Sequence, residues 1–305
     1  MQGRIFAVVA ALVLALALGR VFASAPSYRI VHTRSGFGSL FVLATDPHGN
    51  LYVADQKHFQ ILKLSSSGRL LLKEPMPKKC GISGLAASSS GDVYAAANCR
   101  SEIYHFSPSG HLLGRFGNQP PGTNGVAVDR RGRVYVTYGA PPAPHGPPPG
   151  VIAKKFPSRF VEYSPTGTAL RTVKLSGTRE PWGIAVDKRG NVYVTAIGRL
   201  VKVAPNGKIV AQWSQAAPSR GLPPQPAVDP QGNVYAVGRS QAILKIGASG
   251  RLDGTVVRHG RGQDAVRQPA GMAVDSHGHL FAADEGPNRI KEFSLSGKLL
   301  AVWTP

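Results

Sequence analysis

A chain of 305 residues with 36 glycines, 25 prolines and only 17% charged side chains speaks against a helical bundle and for many short strands joined by turns. Its formal charge of +20 favours anionic partners such as envelope polymers, phospholipid headgroups or nucleic acid. No CxxC pair, phosphate-cradling loop, nucleotide fingerprint or serine nucleophile elbow is present.

At the N-terminus, Arg4 gives a short positive start, and an apolar run of 14 residues follows from Ile5 to Leu18. Small residues come next in Val21-Phe22-Ala23-Ser24-Ala25. This is the layout of a secretory signal peptide, expected over residues 1–23 with cleavage after Ala23. The other reading is a retained anchor, but the run is short for a bilayer span of about 20 residues. The mature chain is therefore expected to be secreted or periplasmic, without stable membrane insertion. Export also removes genomic nucleic acid from the expected partners.

Beyond residue 27 one phrase recurs six times: a small residue, two or three apolar residues, Asp, two variable residues, Gly, one residue, then apolar-Tyr-apolar. Its marker positions are Asp46, Ser88, Asp129, Asp187, Asp229 and Asp275, spaced by 42, 41, 58, 42 and 46 residues. The Asp can accept backbone N–H bonds at a tight turn, and the following Gly supplies the positive φ that closes it. A second turn recurs in the latter half of the units, as in Ile61-Leu62-Lys63-Leu64 followed by Gly68. Each unit thus holds four short strands, a to d. Such a sheet cannot bury both faces alone, and six of them arranged radially bury one another. The expected fold is all-β, a six-bladed β-propeller over residues 27–305. The single long spacing is a Pro-rich insert, 138–159, in the b–c loop of the third blade. It should be extended and without regular structure.

These units resemble NHL repeats, and the last, Gln268-Pro269-Ala270-Gly271-Met272-Ala273-Val274-Asp275 through Asn288-Arg289-Ile290, is the fullest match. The resemblance implies a six-bladed propeller but no single function. Ser88 at the Asp position and Gln225-Pro226 in place of a Gly-apolar pair depart from the pattern and should weaken local turns or strand starts. Both Tyr28-Arg29-Ile30-Val31 and Leu299-Leu300-Ala301-Val302-Trp303 read as d strands, so one closes the last blade and the other is an added edge.

In an antiparallel a-b-c-d blade, the a–b and c–d turns lie at one end, and the b–c loops and d–a links at the other. Irregular, basic sequence concentrates at the second end, where a ligand site is expected. Its candidate residues are Phe41, Asn124 and Trp182, each five before a marker, together with Arg179, Arg258, Arg261 and Arg267. Cys80 and Cys99 should face each other across the a–b hairpin of the second blade and form an intrablade disulfide. No cofactor is expected, although His58 and His259, in neighbouring blades of a closed ring, leave room for a divalent metal. The function expected is a monomeric binding scaffold for an anionic glycan, peptide or envelope component. The alternative is a metal-dependent lyase or lactonase-like enzyme at the channel mouth, which would need clustered His or carboxylate ligands.

Overall fold

The computed structural model describes residues 28–33, 36–97, 101–117, 119, 122–139, 158–218 and 224–305. Within them the chain forms strands and no helix. Strand β1 (Arg29–His32) precedes the first blade, which comprises β2 (Leu40–Thr45), β3 (Leu51–Asp55), β4 (Gln60–Leu64) and β5 (Leu70–Pro75). The second blade is β6 (Ile82–Ala87), β7 (Val93–Ala97), β8 (Glu102–Phe106) and β9 (Leu112–Gly117). The third is β10 (Thr123–Val128), β11 (Val134–Tyr138), β12 (Arg159–Tyr163) and β13 (Ala169–Lys174). The fourth is β14 (Ile184–Val186), β15 (Val192–Ala196), β16 (Arg199–Val203) and β17 (Ile209–Trp213). The fifth is β18 (Ala227–Val228), β19 (Val234–Val237), β20 (Ile243–Ile246) and β21 (Leu252–Val257). The sixth is β22 (Pro269–Val274), β23 (His279–Asp284), β24 (Arg289–Ser294) and β25 (Leu299–Thr304). Neighbouring strands within each blade are antiparallel.

The chain is therefore a six-bladed β-propeller. Its closure uses both terminal strands: β25 completes the sixth blade, and β1 adds a fifth, parallel strand outside it, pairing Val31 with Trp303. The Pro-rich insert joins β11 to β12, and its residues 140–157 lie outside the described residues, as do the expected signal segment and Cys99.

Burial decreases from axis to rim. The b strands of the first five blades are buried at every position, which is why they read as continuous apolar-Tyr-apolar. The d strands of the first and fifth blades alternate between partly buried and exposed residues, whereas β25, covered by β1, is mostly buried. Each boundary between adjacent blades carries its own apolar cluster, from Leu62 and Ala283 between blades one and six to Tyr235 and Phe293 between five and six. At about 1.5–3 kcal/mol for each fully buried large apolar side chain, these facing sheets supply the main stabilisation.

Two close approaches explain why the repeats need glycine. Near the axis, successive a strands nearly touch: a Cβ on Gly125 would lie 2.4 Å from the Trp182 carbonyl oxygen, and one on Gly271 2.5 Å from that of Phe41. At the rim, the c–d turn of one blade rests on the d strand before it. A Cβ on Gly167 would lie 2.5 Å from the Phe116 ring, and Gly68 packs against Val31 and Trp303 in the same way. The bulky d-strand residues are thus seats for the next blade's turn.

Candidate functional site

At the a–b turn end the marker residues build their own turns. Asp229 shows the pattern: Oδ1 accepts the N–H groups of Gln231 and Asn233, while Oδ2 accepts Asn233 Nδ2 and the Tyr235 hydroxyl. Asp46 and Asp187 repeat all four bonds, and Asp129 does so with Arg133 in the Asn place. Burial and the adjacent carboxylate push the hydroxyl pKa of Tyr52, Tyr135, Tyr193 and Tyr235 well above the ordinary tyrosine value. Ser88 serves in the second blade: its hydroxyl accepts the Asp92 N–H and pairs with Ser90.

These six turns ring a chamber of about 530 Å³, walled by Val128, Val186, Val228 and Val274. It leads into the central channel, a further 160 Å³. The channel is bridged by Gln225, whose Nε2 lies 3.4 Å from the Leu85 carbonyl of the diametrically opposite blade. The departure from glycine at this position places an amide across the axis. It also shortens the strand start, since β18 has only two residues.

At the other end the side chains are less uniform. Of the residues five before each marker, Asn124 is 1% exposed and Trp182 4% exposed, and Ser83 is also buried. Asn124 Nδ2 donates to the Pro181 carbonyl of the next blade, and Ser83 Oγ donates to that of Thr123. Phe41 is half-buried and packs into the boundary between the first two blades. Sequence reasoning missed Thr137 and Thr195. Each hydroxyl accepts an a-strand amide of its own blade, Gly125 or Gly183, and donates to the next blade at Trp182 or Pro224. These bonds stitch blades three, four and five together, and no signal within one repeat could have announced them.

The candidate arginines are on the surface: Arg179, Arg258, Arg261 and Arg267 are all exposed. Arg258 pairs with Asp264 at 2.6 Å, whereas no ion pair is made by Arg261 or Arg267 among the described residues. Three of these arginines share the link between blades five and six, and Arg179 lies in the link between three and four.

The two candidate metal ligands have different surroundings. His58 Nδ1 is 2.6 Å from Asp55 Oδ2 within its own blade. Burial works against the Asp55 carboxylate, yet hydrogen bonds from Gln60, His58 and the Gly38 N–H bring its pKa below the usual value. His259 is exposed and bridges to Val266. Among the described residues, no three His, Cys, Asp or Glu side chains converge as a metal-binding group.

This arrangement defines a propeller with a self-satisfied turn face and a basic loop face. No protein-family model and no curated protein matches the sequence. Similar solved structures include a streptogramin B lyase, 16% identical, with a TM-score of 0.61 over 86% of this chain and 81% of that one. Virginiamycin B lyase from Staphylococcus aureus is 15% identical, with a TM-score of 0.60 over 86% and 83% of the two chains. A protein of unknown function from Bacteroides caccae is 14% identical, with a TM-score of 0.59 over 87% and 98%. At these identities the likeness is one of fold.

Proposed function

We propose that the chain is an exported binding scaffold whose basic loop face recognises an anionic envelope polymer, glycan or peptide. The observation that carries this reading is the link between blades five and six, which exposes Arg258, Arg261 and Arg267 with Asp264 as the one paired acid. A cationic surface of this kind concentrates polyanions and weakens with salt. The test is titration with dextran sulfate and with poly-glutamate at low and moderate salt. An exposed cation at an anionic surface contributes about 1 kcal/mol. Arg261→Ala with Arg267→Ala should therefore weaken binding roughly tenfold to thirtyfold at low salt. Arg130→Ala with Arg131→Ala, at the opposite end, should change it far less. Equal losses from both pairs would reduce the basicity to a generic surface property. Binding of one polymer and not the other identifies the ligand class.

The lyase-like reading draws on the similar folds of the streptogramin B and virginiamycin B lyases. Stoichiometric metal retained by the purified protein through dialysis would favour it over the scaffold.

Export carries the disulfide with it. Cys80 is buried at 2% exposure, and no free cysteine occurs among the described residues. Alkylation of unreduced protein should label neither Cys80 nor Cys99, and two labelled thiols would overturn the pairing.

A further inference from the structure

The c strands have an apolar residue two places into each blade's buried face: Leu62, Tyr104, Val161, Val201 and Leu244 in blades one to five. In the sixth blade the same register holds Lys291, opposite Ala282 and only 4% exposed. Burying an ammonium is costly unless it is paired and hydrogen-bonded, and a well-packed apolar side chain in its place is often as stable or more so. Core stability alone therefore gives no reason for a lysine at a site where five repeats use an apolar side chain.

Its contacts give the reason. Lys291 Nζ donates to the carbonyls of Gly262, at 3.3 Å, and Ala265, and lies 3.5 Å from Asp284 Oδ2. Asp284 is fully buried and accepts the Arg267 and Gln268 N–H groups on Oδ1, at 2.9 and 2.7 Å. The link between blades five and six is closed internally as well, by Gly260 N–H to the Val266 carbonyl and Val266 N–H to that of Arg258, both at 2.9 Å. Val266 is buried within the apolar cluster between these two blades.

The first blade provides an internal control. Asp55 occupies the position of Asp284 and likewise accepts an amide of the incoming link, that of Gly38, yet the c-strand place of Lys291 is held there by Leu62, paired with Val53. A carboxylate thus holds the end of a link without a buried lysine, its second oxygen being met in the first blade by His58 and Gln60. What Lys291 adds is a grip on Gly262 and Ala265, flanking the link's tip, beside Arg261.

We propose that Lys291 is a positioning residue for anion recognition: from inside the sixth blade it fixes the Arg258–Gln268 link and so presents Arg261 and Arg267 in one arrangement. The binding half of this inference rests on the scaffold reading above; the anchoring half does not. A ligand that meets a preordered loop avoids the entropy of ordering it.

The test uses Lys291→Leu combined with Asp284→Asn, which keeps an oxygen for the two link amides without leaving a lone buried charge. Hydrogen exchange of the Gly260, Ala265 and Val266 amides should accelerate at least tenfold, with β22–β24 still protected. Unchanged protection of these three amides overturns the anchor, whatever the binding result. Dextran sulfate affinity should fall several-fold with every arginine still present. The slope of affinity against salt should stay as in the wild type, because the number of displaced counterions is unchanged. In Arg261→Ala with Arg267→Ala the slope itself should decrease. A loosened link with wild-type affinity overturns the positioning role. Failure of the wild type to bind dextran sulfate sinks the binding half and the scaffold reading together, while exchange still decides the anchor. Should the double variant fail to fold, Lys291→Gln with Asp284→Asn, which keeps a donating amide at this position, is expected to show the same changes to a smaller degree.

Discussion

At the a–b turn end, the carboxylates of Asp46, Asp129, Asp187 and Asp229 each accept bonds from their own turn amides, a side chain four residues on and a tyrosine six residues on. At the opposite end, Arg261 and Arg267 make no ion pair among the described residues, and Lys291 reaches through its blade to hold the loop that carries them. The first end is the repeat's own chemistry, satisfied in full in four of the six blades. The second is where single repeats depart from the pattern. Polar groups fully bonded within a turn have little left to offer a ligand. Unpaired cations on an ordered loop have a great deal. A concave shape is therefore insufficient to name the site: the turn-end chamber is the larger described cavity, but its carboxylates belong to its walls.

The comparison can be broken most forcefully at Trp182, which lies at the loop end but is buried. If it covers its own blade, Trp182→Ala should cost about 4 kcal/mol of stability, as for other buried aromatic truncations, with polyanion binding intact. Lost binding with unchanged unfolding in urea would return the indole to the ligand site. Next in size is Asp229→Ala. It strips partners from two amides, Asn233 and Tyr235 at once, and should cost about 3 kcal/mol. Binding should not change. A polyanion-binding defect in this variant would mean that the two ends are coupled.

Much of this molecule was legible in one repeat read against the next. The six marker-to-Gly turns, the four strands and the b–c position of the insert follow from local pattern, because turns and strand periodicity depend on near neighbours. The expected weakness at Gln225-Pro226 appears as the two-residue β18. What was not legible depends on contact between blades. Thr137 and Thr195 look like ordinary strand residues until the neighbouring carbonyls are in place. Lys291 looks like one more surface lysine until the c-strand register puts it where Leu62 stands in the first blade. Gln225 reaches Leu85, 140 positions away in sequence, only because the ring closes. The candidate arginines were found from composition and loop position; the scaffold behind them was not.

The smallest expected effect sharpens the turn end, at the repeat that breaks the Asp rule. In five blades the marker is Asp, and the residue four later is a donor: Asn50, Arg133, Asn191, Asn233 or His279. In the second blade both are exchanged. The marker is Ser88, the later residue is Asp92, and the acid now lies 3.3 Å from His105. The tyrosine adapts too, with the Tyr94 hydroxyl donating to the Pro165 carbonyl of the next blade and its ring stacked on His105 at 4.3 Å. Burial and Asp92 push its hydroxyl pKa up to about 12. Restoring Asp at the marker alone should therefore not help. Ser88→Asp sets a carboxylate beside Asp92, and like charges facing each other across a turn should cost about 1 kcal/mol. Adding Asp92→Asn recreates the pair found at Asp46 and Asn50 and should return stability to within about 0.5 kcal/mol of the wild type. A double-mutant cycle in urea unfolding reads this coupling directly. Additive effects would show that Ser88 and Asp92 changed independently and that the turn tolerates either residue alone.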